Sequence, residues 1–246
     1  MKRAIAKAAT ALALTAVMGL VHPASASNKV SSPDVEQGQM EFEYRGGYDT
    51  DNTTKKDRQE VNKFIANYGF TDRLRLETKL DSGGLDNDQD WTTWEFSARY
   101  QIFKENEAWA KLSFEEGYKA ALQKGKPDIL EEKVLAQKDV GKVANIINVM
   151  FDNEVGDDAA GGTDINLGWK SKYKLLPYLE PGGEFYADFG KMSGVNVKKY
   201  QAGPTISGKI GSTGFKYDLG YLFGLNENVP DGRLKLILTY AFKPFS

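Results

Sequence analysis

The sequence predicts an all-β fold, a transmembrane antiparallel up-and-down β-barrel of about twelve strands. Apolar and polar residues alternate with a period of two in several long segments. Breaks rich in Gly, Asp and Asn separate these segments and are alternately short and long, as the turns and loops of a barrel are. The polar faces carry ionic residues deep within the segments, which suits a lumen better than a soluble core.

The clearest alternation runs over residues 215–223, where large apolar residues form one face and Lys216, Asp218 and Gly220 form the other. The same scheme recurs over residues 92–102 and 233–242. Twelve strands are predicted from the breaks, near residues 38–48, 58–69, 73–81, 91–103, 108–120, 130–138, 142–155, 163–174, 178–189, 198–208, 214–225 and 233–242.

Two of these segments lack a clean apolar face. Residues 129–138 fit a short amphipathic helix equally well, and residues 144–155 carry apolar side chains at both parities. If one hairpin is miscounted here, the barrel has ten strands.

The N-terminus has the pattern of an export signal. Basic residues at Lys2, Arg3 and Lys7 precede an apolar run of 14 residues, and Ala24-Ser25-Ala26 is a small-x-small cleavage site. The run is shorter than the ~20 residues of a membrane-spanning helix. We therefore expect a signal peptide over residues 1–26, cleaved near Ala26, then an N-terminal periplasmic segment over 27–37 and the barrel over 38–246.

Composition excludes several function classes. The chain has no cysteine, and its one histidine, His22, lies in the predicted signal. Hydrolytic sites that use histidine as the base, and thiolate or imidazole metal sites, are thereby excluded. A carboxylate pair could still hydrolyse a glycoside, but no local pattern marks one. The prediction is a protein that is not an enzyme and has no cofactor and no metal.

Charge argues against nucleic acid as a partner. Removing residues 1–26 takes away three basic residues and no acidic one, so the formal net charge goes from −2 to −5. Residues 86–90 space carboxylates by two, which allows a calcium site, yet they lack the glycine and terminal glutamate of a helical calcium loop. A solvated loop is the favoured interpretation.

Charged residues on the polar faces are the candidate lumen lining. They leave two alternatives open: cationic faces that favour anions such as acidic sugars, or a mixed lumen whose charges neutralise one another. The candidates are Arg73, Arg75, Glu95, Arg99, Lys170, Lys172, Lys174, Glu184 and Asp188.

The last strand carries a resemblance to a known family. Leu236, Leu238, Tyr240 and Phe242 resemble the C-terminal assembly signal of bacterial outer-membrane β-barrel proteins, although four residues follow Phe242. The segments 69–73 and 231–236 look like those of small porin-like proteins and outer-membrane transporters.

This resemblance implies a location in the bacterial outer membrane and a porin-like passive passage of small solutes. The implied partners are outer-membrane lipid and lipopolysaccharide, the barrel-assembly machinery and small solutes. Two alternatives stay open: a closed barrel with a structural or surface-interaction role, and a soluble periplasmic lipocalin-like binder.

Overall fold

The structure is a computed structural model that describes residues 29–52, 57–85 and 88–244. The predicted signal peptide with its cleavage site, residues 86–87 of the acidic loop, and Phe245 lie outside the described residues. Twelve strands are present: β1 (Met40–Thr50), β2 (Gln59–Gly69), β3 (Leu74–Leu85), β4 (Asp88–Phe103), β5 (Lys111–Ala121), β6 (Asp128–Val140), β7 (Val143–Val155), β8 (Thr163–Tyr173), β9 (Glu180–Lys191), β10 (Lys199–Lys209), β11 (Phe215–Gly224) and β12 (Gly232–Phe242).

The strands form one closed antiparallel barrel in chain order, and β1 pairs with β12 to complete it. The predicted fold class is thus confirmed, with twelve strands rather than ten. Residues 129–138 belong to β6, so the helical alternative is wrong. Within the described ranges the single helix is a 3₁₀ turn, Met192–Gly194, and no helix there is long and apolar enough to cross a membrane.

The connections define two ends of the barrel. At the turn end, where the chain enters β1 and leaves β12, lie residues 70–73, 104–110, 141–142, 174–179 and 210–214. At the loop end lie residues 51–52, 57–58, 122–127, 156–162, 192–198 and 225–231. The prediction of a long loop over residues 82–90, between the third and fourth predicted strands, is wrong. β3 and β4 extend through most of these residues and pair there beyond a register shift at Asp81/Ser82.

The two faces of the wall have opposite chemistry. Large apolar side chains point outward, with Phe96 56% exposed and Leu219 41% exposed. Many charged side chains point inward and are buried, as with Glu95 at 2% exposed. Aromatic residues lie at both ends, including Trp91 near the loop end and Trp109 and Tyr178 at the turn end. Apolar residues on the outer surface and charged residues on the inner surface are the distribution expected of a barrel whose outer surface faces an apolar medium.

One pair of residues departs from the apolar outer face. Glu116 on β5 and Glu132 on β6 are direct cross-strand partners near the middle of the wall, and both have the outward parity. Like charges at this spacing repel, and carboxylates on a lipid-facing surface are costly. Because Glu132 is a charged residue on the outer face of β6, the alternation of apolar and polar residues in this strand is not regular.

Candidate functional site

The lumen wall from β3 to β7 carries a balanced set of charges, which we call the main charge network. Lys79 lies at its centre, with its Nζ 2.5 Å from Glu95, 2.9 Å from Glu77 and 3.3 Å from Glu115. Arg99 also pairs with Glu115. The members are Arg75, Glu77, Lys79, Glu95, Arg99, Glu115, Lys119, Glu131, Lys133 and Asp152.

Five basic and five acidic side chains thus neutralise one another. Three of the predicted lumen residues, Arg75, Glu95 and Arg99, belong to this network.

A second charge network lies on the opposite wall. Glu184 on β9 accepts from Lys170, 2.9 Å away, and from Lys235, 2.5 Å away, while Asp218 on β11 pairs with Lys170 as well. Tyr186 donates its hydroxyl to Glu184 at 2.7 Å. Lys170 and Glu184, both predicted to face the lumen, are therefore paired with each other.

The remaining predicted residues on β8 and β9 lie apart from that network. Lys172 pairs with Glu180 at 2.5 Å. Lys174 follows the end of β8 and pairs with Asp139 at 2.5 Å, with 43% of its side chain exposed. Asp188 accepts the Gly190 N–H at 2.7 Å near the loop end. The three predicted lysines therefore do not form a continuous ladder of uncompensated charge.

Arg73 does not line the lumen, contrary to the prediction. It precedes β3 in the turn, and its guanidinium donates to the Ile102 carbonyl at 2.9 Å and to Glu107 at 2.6 Å. The Arg73 hydrogen bond holds the pKa of the Glu107 carboxyl below its usual range. A hydrogen bond from Lys104 does the same for the pKa of Asp72. These exposed pairs order two neighbouring turns.

Three buried carboxylates of the main charge network come close together. Oxygens of Glu95, Glu115 and Glu131 lie within 4.8 Å of one another, a spacing that a metal ion could bridge. Each of these carboxylates already contacts a lysine of the network. The ammonium groups compensate the carboxylates, so the arrangement is an ion-pair cluster.

Residues 29–38, which we call the N-terminal segment, contact lumen-facing side chains. Ser31 and Asn148 on β7 form two hydrogen bonds, of 2.7 and 2.9 Å. Arg99 donates to the Ser32 carbonyl at 2.7 Å, and Ser113 on β5 donates to the Pro33 carbonyl at 2.6 Å. The periplasmic placement of residues 27–37 stays a prediction, and the structure adds that residues 29–37 contact the barrel.

The deepest part of the N-terminal segment has an apolar partner site. Val30 is 5% exposed and packs with Ile146, Tyr186 and Leu222, which are also buried. A Cβ added to Gly168 would lie 3.1 Å from the Val30 methyl, so the absence of a side chain there leaves room for Val30. Apolar side chains at inward positions of a polar lumen thus form a pocket for one valine.

Beside the N-terminal segment the lumen holds a cavity of about 480 Å³, which extends to the turn end. Lys172, Glu180, Lys209 and Lys216 line it along β8 to β11, and Lys29 lines it from the segment. The cavity has both signs of charge on its wall. It offers space and polar contacts for a small hydrophilic solute.

The sequence did not mark the N-terminal segment, Lys235 or Asp218 as parts of the site. A signal was available for Lys235 and Asp218, because each lies on the polar face of an alternating strand. The contacts of residues 29–38 join parts of the chain that lie far apart in sequence, so no local pattern reveals them.

Comparison with known proteins relates this architecture to solved structures. The KdgM porin is similar with a TM-score of 0.59 and 10% identity, over 82% of this chain and 99% of that chain. An outer membrane channel from Pseudomonas putida F1 has a TM-score of 0.59 and 14% identity, over 90% of this chain and 100% of that chain. The chain has the fold of outer-membrane porins and channels.

A third similar structure is the Acinetobacter baumannii outer membrane protein Omp33. Its TM-score is 0.50 at 11% identity, over 83% of this chain and 98% of that chain. No protein-family model matches this chain, and no curated protein matches it. The predicted resemblance to outer-membrane β-barrels is therefore confirmed at the level of the fold.

Proposed function

We propose that this protein is a porin-like passage for small solutes in the bacterial outer membrane. The observation that carries the proposal is the inverted chemistry of the closed wall, apolar and aromatic outside and ionic inside. In a closed barrel the backbone N–H and C=O groups of every strand are hydrogen-bonded to neighbouring strands, so none is left unpaired in the bilayer. A polar lumen provides a path for hydrophilic solutes. The fold shared with porins and channels supports the same function.

The proposal includes location and partners. Export by the predicted signal peptide and insertion by the barrel-assembly machinery would place the outward aromatic residues in contact with outer-membrane lipid and lipopolysaccharide. Nucleic acid is not among the proposed partners. A lipocalin-like binder is disfavoured, because a soluble barrel would not expose residues such as Phe96 and Leu219 around its wall.

A second candidate is a closed barrel with a structural or surface-interaction role. Its support is that much of the lumen is filled: Asp49 is 0% exposed, Lys235 is 1% exposed, and the N-terminal segment occupies part of the remaining space. Under this candidate the charge networks hold the barrel together and no solute passes.

Liposome swelling separates the two candidates. Refolded protein in liposomes is expected to admit neutral sugars, faster for a pentose than for a trisaccharide, because the cavity of about 480 Å³ accepts only small solutes. Protein-free liposomes are the control. Swelling that stays at the control rate for every sugar, with protein that shows heat-modifiable gel migration, would support the closed barrel instead.

Ion preference is expected to depend on the Lys172–Glu180 pair, which lines the cavity. Lys172→Gln leaves a carboxylate without its cation and should shift the reversal potential in a salt gradient towards cation preference, whereas Glu180→Gln should shift it towards anions. Both shifts should shrink at ~1 M salt, where the Debye length is ~3 Å.

Lys138→Gln is the matched control for this pair of variants. Lys138 is an exposed lysine with outward parity near the turn end of β6, so its charge should not affect permeation. Equal reversal potentials in all three variants and the unchanged protein would show that the Lys172–Glu180 pair does not line the path.

A further inference from the structure

We infer that the lumen wall is a binding site for a peptide segment, that the chain's own N-terminal segment occupies it, and that release of this segment controls the passage. The inference rests on the proposed function for its effect on permeation. The site itself rests on contacts that the segment makes with strands all around the barrel.

The polar side chains of the site form hydrogen bonds with the backbone of the segment. Asn148 both donates to and accepts from the Ser31 backbone, and Gln101 accepts the Val35 N–H at 3.1 Å. Between these positions, Arg99 donates to the Ser32 carbonyl and Ser113 to the Pro33 carbonyl. Donors and acceptors on β4, β5 and β7 thus form hydrogen bonds with several peptide groups of the segment, as peptide recognition requires.

Side chains fix the depth at which the segment binds. Val30 enters the apolar pocket of Ile146, Tyr186 and Leu222 at the inner end. Lys29 pairs with Glu43 on β1 beside it. At the outer end, Asp34 pairs with Lys111 at 2.7 Å. Val30 thus lies between a segment cation that pairs with a wall carboxylate and a segment carboxylate that pairs with a wall cation. Shifting the segment along the wall would break both pairs, so it binds in one position.

The segment joins the barrel at a point that permits movement. Gly38 has a φ of +74°, a conformation that favours glycine, and its N–H donates to the Gly69 carbonyl at 2.8 Å. Residues before it contact the wall through side chains and isolated hydrogen bonds, whereas residues from Met40 onward belong to the sheet. Rotation near Gly38 would withdraw residues 29–37 towards the turn end and leave the wall intact.

Val30→Asp tests the site, because it places a carboxylate in the apolar pocket. In single-channel recordings we expect the open fraction to rise by about tenfold or more, since each ~1.4 kcal/mol of lost binding changes a two-state equilibrium tenfold. Gln37→Asp is the matched control: it adds the same charge to the same segment at an exposed position. Its open fraction should equal that of the unchanged protein.

A reversible lock provides an independent readout. In this cysteine-free chain a Cβ at position 168 would lie 3.1 Å from a methyl carbon of Val30, so Val30→Cys with Gly168→Cys suits a bridge with an S–S bond of about 2.05 Å. Thiol titration of the folded, oxidised protein should find both introduced thiols consumed. Oxidation should abolish the openings and reduction should restore them, while Gly168→Cys alone should not respond.

A peptide supplied in trans tests the site without the tether. A synthetic peptide with the sequence of residues 29–37, added to the Val30→Asp protein, should return its open fraction towards the unchanged value. The same peptide carrying aspartate in place of valine should have no effect. Block by both peptides alike would overturn the specific site.

The outcomes distinguish the two proposals. If the unchanged protein conducts but Val30→Asp and Gln37→Asp behave alike and the double-cysteine thiols stay free, the peptide site is overturned and the proposed passage stands. If no variant conducts, the proposed passage fails and control of it fails too, whereas complete disulfide formation would still support binding of the segment in the lumen.

Discussion

Replacing Glu115 by glutamine is expected to lower the free energy of unfolding by about 3–5 kcal/mol. Glu115 is buried and contacts Lys79, Arg99 and Lys133, so its loss leaves these cations undercompensated in the main charge network. Denaturant unfolding in detergent micelles, followed by tryptophan fluorescence, measures the difference. Earlier loss of heat-modifiable gel migration on warming should accompany it.

Glu116→Gln is the matched control, one residue along the same strand. Its side chain has the outward parity and faces Glu132 across the strand pair, so removing its charge relieves repulsion. The free energy of unfolding should stay constant or rise by up to ~1 kcal/mol. If both variants lost the same amount of stability, the inward and outward assignments of β5 would be wrong.

Arginine on the outer face is expected to cost the barrel about 2–4 kcal/mol at each of two positions, Phe96 and Leu219, because both lie mid-strand in the apolar belt. Phe96→Arg and Leu219→Arg should also reduce the assembled fraction in cells, measured by heat-modifiable gel migration of outer membranes.

Ser207→Arg tests the opposite face of the wall. Ser207 lines the cavity on β10, where an added guanidinium has both space and carboxylates nearby. This variant should assemble nearly as well as the unchanged protein. Assembly reduced to the level of Phe96→Arg would contradict a polar lumen at β10.

Strands with an unbroken apolar outer face could be predicted to within a few residues. β11 and β12 are examples, because large apolar residues such as Leu219 and Leu238 occupy every second position on the outward face, although each strand also has a buried apolar residue at an inward position, Leu222 and Ile237. β6 and β7 could not be resolved in the same way. Glu132 points outward, while Leu135 and Ile146 point inward, so alternation in these strands is mixed.

The inward apolar residues have a physical reason that sequence periodicity does not contain. Ile146 and Leu222 pack against Val30 of the N-terminal segment, which precedes β1 in the sequence and lies far from both residues along the chain. The same long-range pairing explains why the sequence left open whether the charge of Lys170 is neutralised. Its partner on the neighbouring strand, Glu184, is visible once register is known, but Asp218 comes from β11 across the lumen.

Predicted loops were less accurate than predicted strands. Residues 82–90 are rich in Gly, Asp and Asn, which favours a loop, yet the sheet extends through most of them because β3 and β4 continue to pair after the register shift. A similar error in a strand boundary occurs at the turn end. Arg73 has the parity of a lumen residue and is predicted to lie in the third strand, but β3 begins one residue later, so Arg73 lies in the turn.

Single-channel recording from the refolded chain in planar bilayers tests the central claim most directly. The account predicts discrete conductance steps from the unchanged protein, with openings that are rare while the N-terminal segment occupies the lumen and frequent in the Val30→Asp protein. An absence of steps from both proteins, in preparations that retain heat-modifiable migration, would contradict a passage and identify the molecule as a closed barrel.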